Sequence, residues 1–83
     1  MINTEELRAK LEAAWPELIA REEISHYTGG IYKAKTMEVY DSKGTGVKNP
    51  VRFKGRKIAY TKDELINWLI ARLEAKNANT RQQ

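Results

Sequence analysis

Apolar side chains recur at three- and four-residue intervals near the start of the chain, as Leu7, Leu11, Ala14, Trp15 and Leu18. That spacing predicts a helix with one buried face. Asn3 is a suitable N-cap, Glu6 completes a capping box with it, and Pro16 ends or redirects the helix. The helix is therefore expected over about residues 4–15, with Ile19 carrying the apolar seam onward. Residues 21–28 read as a second, short helix with Ile24 and Tyr27 inward, and Glu22 and Glu23 suit its positive N-terminal end. Gly29-Gly30 breaks it. Met37 and Tyr40 support a third helix from Ala34 to Ser42, stopped by Gly44-Thr45-Gly46, with Asn49-Pro50 continuing the loop.

The period then changes. Val51-Arg52-Phe53-Lys54 and Lys57-Ile58-Ala59-Tyr60 alternate basic and apolar positions around Gly55-Arg56, which predicts a hairpin with one wet and one buried face. Thr61-Lys62-Asp63-Glu64 has the form of a capping box directly before an apolar run. Leu65, Trp68, Leu69 and Leu73 follow on one helical face, flanked by Ile66, so a last helix is expected over about 62–76. The tail 77–83 lacks an apolar stripe and is expected to be disordered. Trp15, Tyr27, Tyr40, Phe53, Tyr60 and Trp68 stand at core spacing and read as core or partly core.

Eighty-three residues, 41% hydrophobic and 31% charged, supply one small domain over residues 1–76. No run approaches the roughly 18 apolar residues of a membrane span. The N-terminus lacks a basic region followed by an apolar run, so the chain reads as cytoplasmic. Cysteine is absent and His26 is the one histidine, so neither a disulfide framework nor a metal site is expected. Nor is a catalytic residue or a small-molecule substrate. Ser25 and His26 are adjacent and diverge by about 100° on a helix, and the glycine clusters match no phosphate-binding loop. No cofactor is implied.

Charge changes the picture more. The net charge of +4 divides into −3 over residues 1–30, +7 over 31–62 and zero over 63–83. A cationic middle third favours a polyanionic partner, most simply nucleic acid. Two short helices about a Gly-Gly turn, a basic hairpin and a packing helix describe a winged helix-turn-helix. In that α+β arrangement the second helix enters the major groove and the wing meets the backbone or minor groove. The expected fold is thus a small winged helix-turn-helix with an extra N-terminal helix, a two-stranded wing and a C-terminal packing helix.

With Met37 and Tyr40 inward, the outward direction of the third helix falls to Lys35, Val39 and Ser42, with Glu38 beside them. Lys35 is suited to guanine or phosphate, Val39 to a thymine methyl and Glu38 to cytosine N4. Lys33 and Thr36 at the helix start suit phosphate oxygens, and Lys43 extends the same element. Lys48, Arg52, Lys54, Arg56 and Lys57 supply charge on the wing and its flank, Arg56 being placed for the minor groove.

Between Ile19 and Leu73 stand, in order, Glu23-Ile24-Ser25, Thr28-Gly29-Gly30, Lys35 to Gly46, Phe53 to Tyr60 and Asp63 to Leu69. In these motifs the sequence resembles the small excisionase-type DNA-binding proteins, relatives of AlpA-like and MerR-like winged helix-turn-helix domains. Ala34 stands where that family often has Pro, and Val47 replaces the Pro of its Gly-x-Gly-Pro loop. The resemblance implies a non-enzymatic protein that binds and bends double-stranded attachment-site DNA to assist a phage integrase. The partners it implies are that integrase or a second copy on DNA. Prophage transcriptional control is the sibling role. The rival from another class is a protein–protein adaptor docking through its acidic N-terminal helix or its C-terminal helix, marked by an exposed Trp15 or Ile70. Single-stranded nucleic-acid binding would need exposed aromatics among the basic residues.

Overall fold

The computed structural model describes residues 3–73. Asn3 caps α1 (Thr4–Ala14) as expected, its side-chain oxygen accepting from the Glu6 backbone N–H at 2.7 Å, but the Glu6 side chain makes no return bond to Asn3, so the capping box is half formed. The helix ends at Ala14 because Trp15 precedes Pro16 and is pushed into extended backbone, φ −94° and ψ 147°. Beyond the proline the chain stays extended. Leu18 was expected on the helical seam and instead opens a strand, β1 (Leu18–Ala20).

A 3-10 turn (Arg21–Glu23) and α2 (Ile24–Tyr27) together replace the single helix expected over 21–28. Gly29 and Gly30, at φ 65° and 85°, reverse the chain after it. Thr28 closes the turn, donating to the Ile24 carbonyl at 2.8 Å and accepting from the Tyr32 backbone N–H at 3.2 Å. The chain continues through α3 (Ala34–Ser42), β2 (Val51–Phe53), β3 (Lys57–Thr61) and α4 (Lys62–Ala71).

The result is a small α+β fold whose antiparallel sheet has the order β1-β3-β2. The expected two-stranded wing is therefore part of a three-stranded sheet, with Leu18, Ile19 and Ala20 paired to Thr61, Tyr60 and Ala59. On the other edge Val51, Arg52 and Phe53 pair with Ala59, Ile58 and Lys57. Directly paired residues share a sheet face. Phe53 thus lies with Lys57, not with Ile58 and Tyr60, and it is half exposed at 50% instead of joining the core.

Trp15, Ile19, Ile24, Met37, Val47, Tyr60, Leu65 and Ile66 form the core. Ile66, expected to flank the apolar face of α4, is fully buried, and Leu73, expected on that face, is exposed. The helix stops at Ala71 with Arg72 as its C-cap, so Leu73 has left the helical stripe. Residues 74–76 of the expected helix and the tail 77–83 lie outside the described residues. Thr61 is the N-cap of α4, but its side chain makes no capping bond. Its backbone is committed to the β1 ladder and Glu64 is held by Asn49 at 3.2 Å, so the expected capping box does not form.

α1 lies against α4, with Arg8 donating to Asn67 at 2.9 Å. Lys62 donates to the Glu12 carbonyl at 3.0 Å and pairs with Glu17 at 3.3 Å. The N-terminal helix covers its own domain: Trp15 is buried beneath it and Leu7 and Leu11 are half-buried.

One polar cluster joins three elements. Arg21 donates through Nε to the Tyr60 hydroxyl at 3.1 Å and through Nη2 to Asp41 Oδ2, and the Tyr60 hydroxyl donates to the same Asp41 oxygen at 2.7 Å. Burial works against the Arg21 charge, but the bonds to Tyr60 and Asp41 outweigh it and leave the guanidinium more basic than usual. Burial of Tyr60, opposed by the Arg21 bond and reinforced by Asp41, pushes its phenol from 10.0 up to about 12. Gly46 packs directly on this cluster: a Cβ there would overlap the Asp41 carboxylate and stand 3.1 Å from the Asp41 backbone nitrogen.

Tyr60→Phe is expected to lower unfolding free energy by about 1–2 kcal/mol in a urea titration, because it removes the hydroxyl that bonds both half-buried partners. The folded state favours the neutral phenol, so this group's stabilisation is complete below pH 10 and is lost as the pH rises from 10 towards about 12. The loss should be shallower in Tyr60→Phe. Gly46→Ala should cost about 1–3 kcal/mol by the same measurement.

Candidate nucleic-acid interface

α3 presents its sides as its spacing predicts. Met37 is buried and Tyr40 half-buried, while Lys35, Thr36, Glu38, Val39 and Ser42 are exposed. Lys33 and Lys43 are its N- and C-cap residues, also exposed. Tyr40 belongs to an edge-to-face cluster with Trp68, at 5.4 Å, and Trp68 with Tyr32, at 5.1 Å. Arg72 reaches back over the Tyr40 and Trp68 rings at 4.4 and 4.7 Å and donates to the Tyr40 hydroxyl at 2.6 Å. Trp68 also donates to the Thr45 carbonyl at 3.0 Å. These contacts brace α3 against α4 and fix which residues it turns outward.

The hairpin tip is Lys54-Gly55-Arg56. Gly55 and Arg56 both have positive φ, 80° and 63°. For arginine that backbone is strained by about 1–2 kcal/mol, so the tip holds its cationic side chain at a conformational cost. A groove of about 280 Å³ separates this tip from α3, and Arg21, Glu22, Lys35, Glu38, Arg56 and Lys57 line it. Lys35 and Arg56, 21 positions apart in the sequence, therefore face a common space.

Its electrostatics are mixed. Lys35 lies 3.6 Å from Glu38, and Lys57 lies 3.4 Å from Glu22. Both are exposed pairs, which an incoming anion can separate at little cost. Arg21 is engaged by Asp41, and Arg56 has no carboxylate partner among the described residues.

All twelve residues proposed from sequence are exposed: Lys33, Lys35, Thr36, Glu38, Val39, Ser42, Lys43, Lys48, Arg52, Lys54, Arg56 and Lys57. They are not all in one place. Lys48 lines a separate depression with Glu64, Asn67 and Trp68. Arg52 does not line the groove, although Ile58, its partner across the hairpin, does. Lys62, counted in the basic third, is held by Glu12 and Glu17.

Sequence reasoning missed Glu22 as a groove residue, because its partner Lys57 is 35 positions away. It also missed an apolar depression of about 510 Å³ on another part of the surface, lined in part by Leu7, Leu11, Ile31 and Leu73. Trp15 lines that depression yet is only 7% exposed, and Ile70 is half-buried, so neither forms the exposed patch that would mark an adaptor.

Among the described residues no group of three or more His, Asp or Glu side chains could hold a metal ion. No described helix is long and apolar enough to cross a membrane. Compared with known proteins, the chain matches no family model, no curated protein and no solved structure.

Arg56→Gly relieves the strained backbone while loosening the unfolded chain, so its stability is expected to stay within about 1 kcal/mol of the parent. A thermal melt checks this, and the variant then removes the tip charge without disturbing the fold.

Proposed function

We propose that the chain is a sequence-specific double-stranded DNA-binding protein of winged helix-turn-helix type, with α3 as the recognition helix and the β2–β3 hairpin as the wing. The observation that carries the reading is the shared groove. Lys35 on α3 and Arg56 and Lys57 on the hairpin line one concavity, and the exposed side of α3 beside it carries Thr36, Val39 and Ser42. A helix with short polar and apolar side chains flanked by cations suits the major groove, where base edges are read by contact and phosphates by charge. An arginine held at a turn is placed to enter a narrow minor groove. A single-strand platform needs several outward aromatics, and Phe53, which does not line the groove, is the one exposed Phe, Tyr or Trp among the described residues.

The motif order from Glu23 to Leu69 supports the narrower role of an excisionase, a recombination directionality factor that bends attachment-site DNA beside a phage integrase. The test is a footprint and bending assay on the DNA flanking an attachment site, with excision by the integrase as the functional readout. Protection confined to a promoter would assign the chain to transcriptional control instead.

With about six phosphate contacts, affinity should fall about 10³-fold between 50 and 200 mM salt, measured by fluorescence anisotropy on a labelled duplex. Lys35→Ala and Arg56→Gly should each weaken binding about 5–50-fold, the range of one good charged contact. Salt-independent binding, or full affinity in both variants, would remove the groove as the contact surface.

A further inference from the structure

Glu22 leaves the 3-10 turn towards the hairpin, and its Oε2 stands 3.4 Å from Lys57 Nζ. The two residues are 35 positions apart, so the fold and not the local chain brings them together. Glu22 faces the same groove as Lys35 and Arg56, whereas the adjacent Glu23 makes no ion pair among the described residues. The Lys57 and Glu22 side chains remain 61% and 68% exposed. A phosphate can therefore reach the same ammonium without first opening a buried contact.

We infer that Glu22 is a resident competitor for the anion this groove takes, moderating sequence-independent attachment to DNA. The inference rests on the DNA-binding reading of the groove. In the free protein Glu22 occupies Lys57. When a duplex backbone arrives, the carboxylate either gives up its lysine or remains as a negative charge beside a phosphate. Both outcomes lower affinity, and neither depends on sequence, because phosphates carry no base information. Repulsion between unit charges a few ångströms apart in solvent corresponds to a few-fold change in binding, reduced further as salt screens it. The base-edge contacts of α3 are left unchanged. Glu22 thus limits how long the protein dwells on DNA that α3 does not recognise.

The test uses the full chain and a labelled random-sequence duplex, with anisotropy titrations at 50 and 200 mM salt, the range over which phosphate contacts are read. Glu22→Gln is expected to bind roughly 3–10-fold tighter at the lower salt, with a salt slope steeper by about one. Glu23→Gln removes the same charge one position away and should stay within about twofold of the parent, since it engages no groove cation. In a Lys57→Gln background, Glu22→Gln should give a smaller gain, about two- to threefold, because the lysine it competes for is gone and the repulsion of phosphate alone remains. Unchanged affinity in Glu22→Gln, an equal gain in Glu23→Gln, or an undiminished gain in the Lys57→Gln background would each overturn the inference. If the parent chain binds no duplex at the lower salt, the DNA-binding reading itself fails, and the inference falls with it.

Discussion

The contact on which the arrangement depends is the three-way bond among Arg21, Asp41 and Tyr60. It takes one residue from the 3-10 turn, one from the last turn of α3 and one from the central strand. Apolar packing of Ile24, Met37 and Tyr60 drives these elements together but sets orientation loosely, since burial has no direction. The hydrogen bonds supply the direction. They fix the rotation of α3 relative to the sheet, and hence the side of α3 that faces the hairpin tip. A part-buried cluster of this kind gains from being connected, and here the Tyr60 hydroxyl, Arg21 Nε and Nη2 and Asp41 Oδ2 all bond within it. Gly46 is part of the same arrangement, because only a residue without a side chain can pass so close to Asp41.

Much of the local structure was legible because it is written in short-range chemistry. Asn3 caps its helix through its own side chain, Pro16 ends α1 through the residue before it, and Gly29-Gly30 turn the chain by their backbone freedom. The illegible parts are all decided at a distance. β1 is three residues long and exists because β3 offers it an edge. Phe53 is turned outward by its register with Lys57, which the alternating pattern of a single strand cannot specify. The Thr61 capping box failed because Asn49, across a loop, holds Glu64. Tyr60 was legible as a core residue, but its polar partners were not, since Arg21 and Asp41 lie 39 and 19 positions away.

The candidate interface shows the same division. Exposure of the basic residues followed from their type and from the wheel of α3. Their sharing of a groove is a property of the tertiary structure, as is the diversion of Arg21 and Lys62 to internal contacts. A charge count along the sequence therefore overstates what the surface offers to a ligand. Of the groove's four cations, Arg21 is paired with Asp41, and Lys35 and Lys57 each have a carboxylate at hand.

β3 ends at Thr61 and α4 begins at Lys62, with no intervening residue. Strand and helix therefore act as a single lever. The tip lies at one end of it, and at the other is the helix against which α1 is pinned. A load applied at the tip meets no linker at that junction, where the Lys62 backbone N–H is bonded to the Glu17 carbonyl at 2.9 Å. It passes down the lever into the seat of α1, leaving Lys54-Gly55-Arg56 as the main place where the hairpin can adapt its shape to whatever it touches.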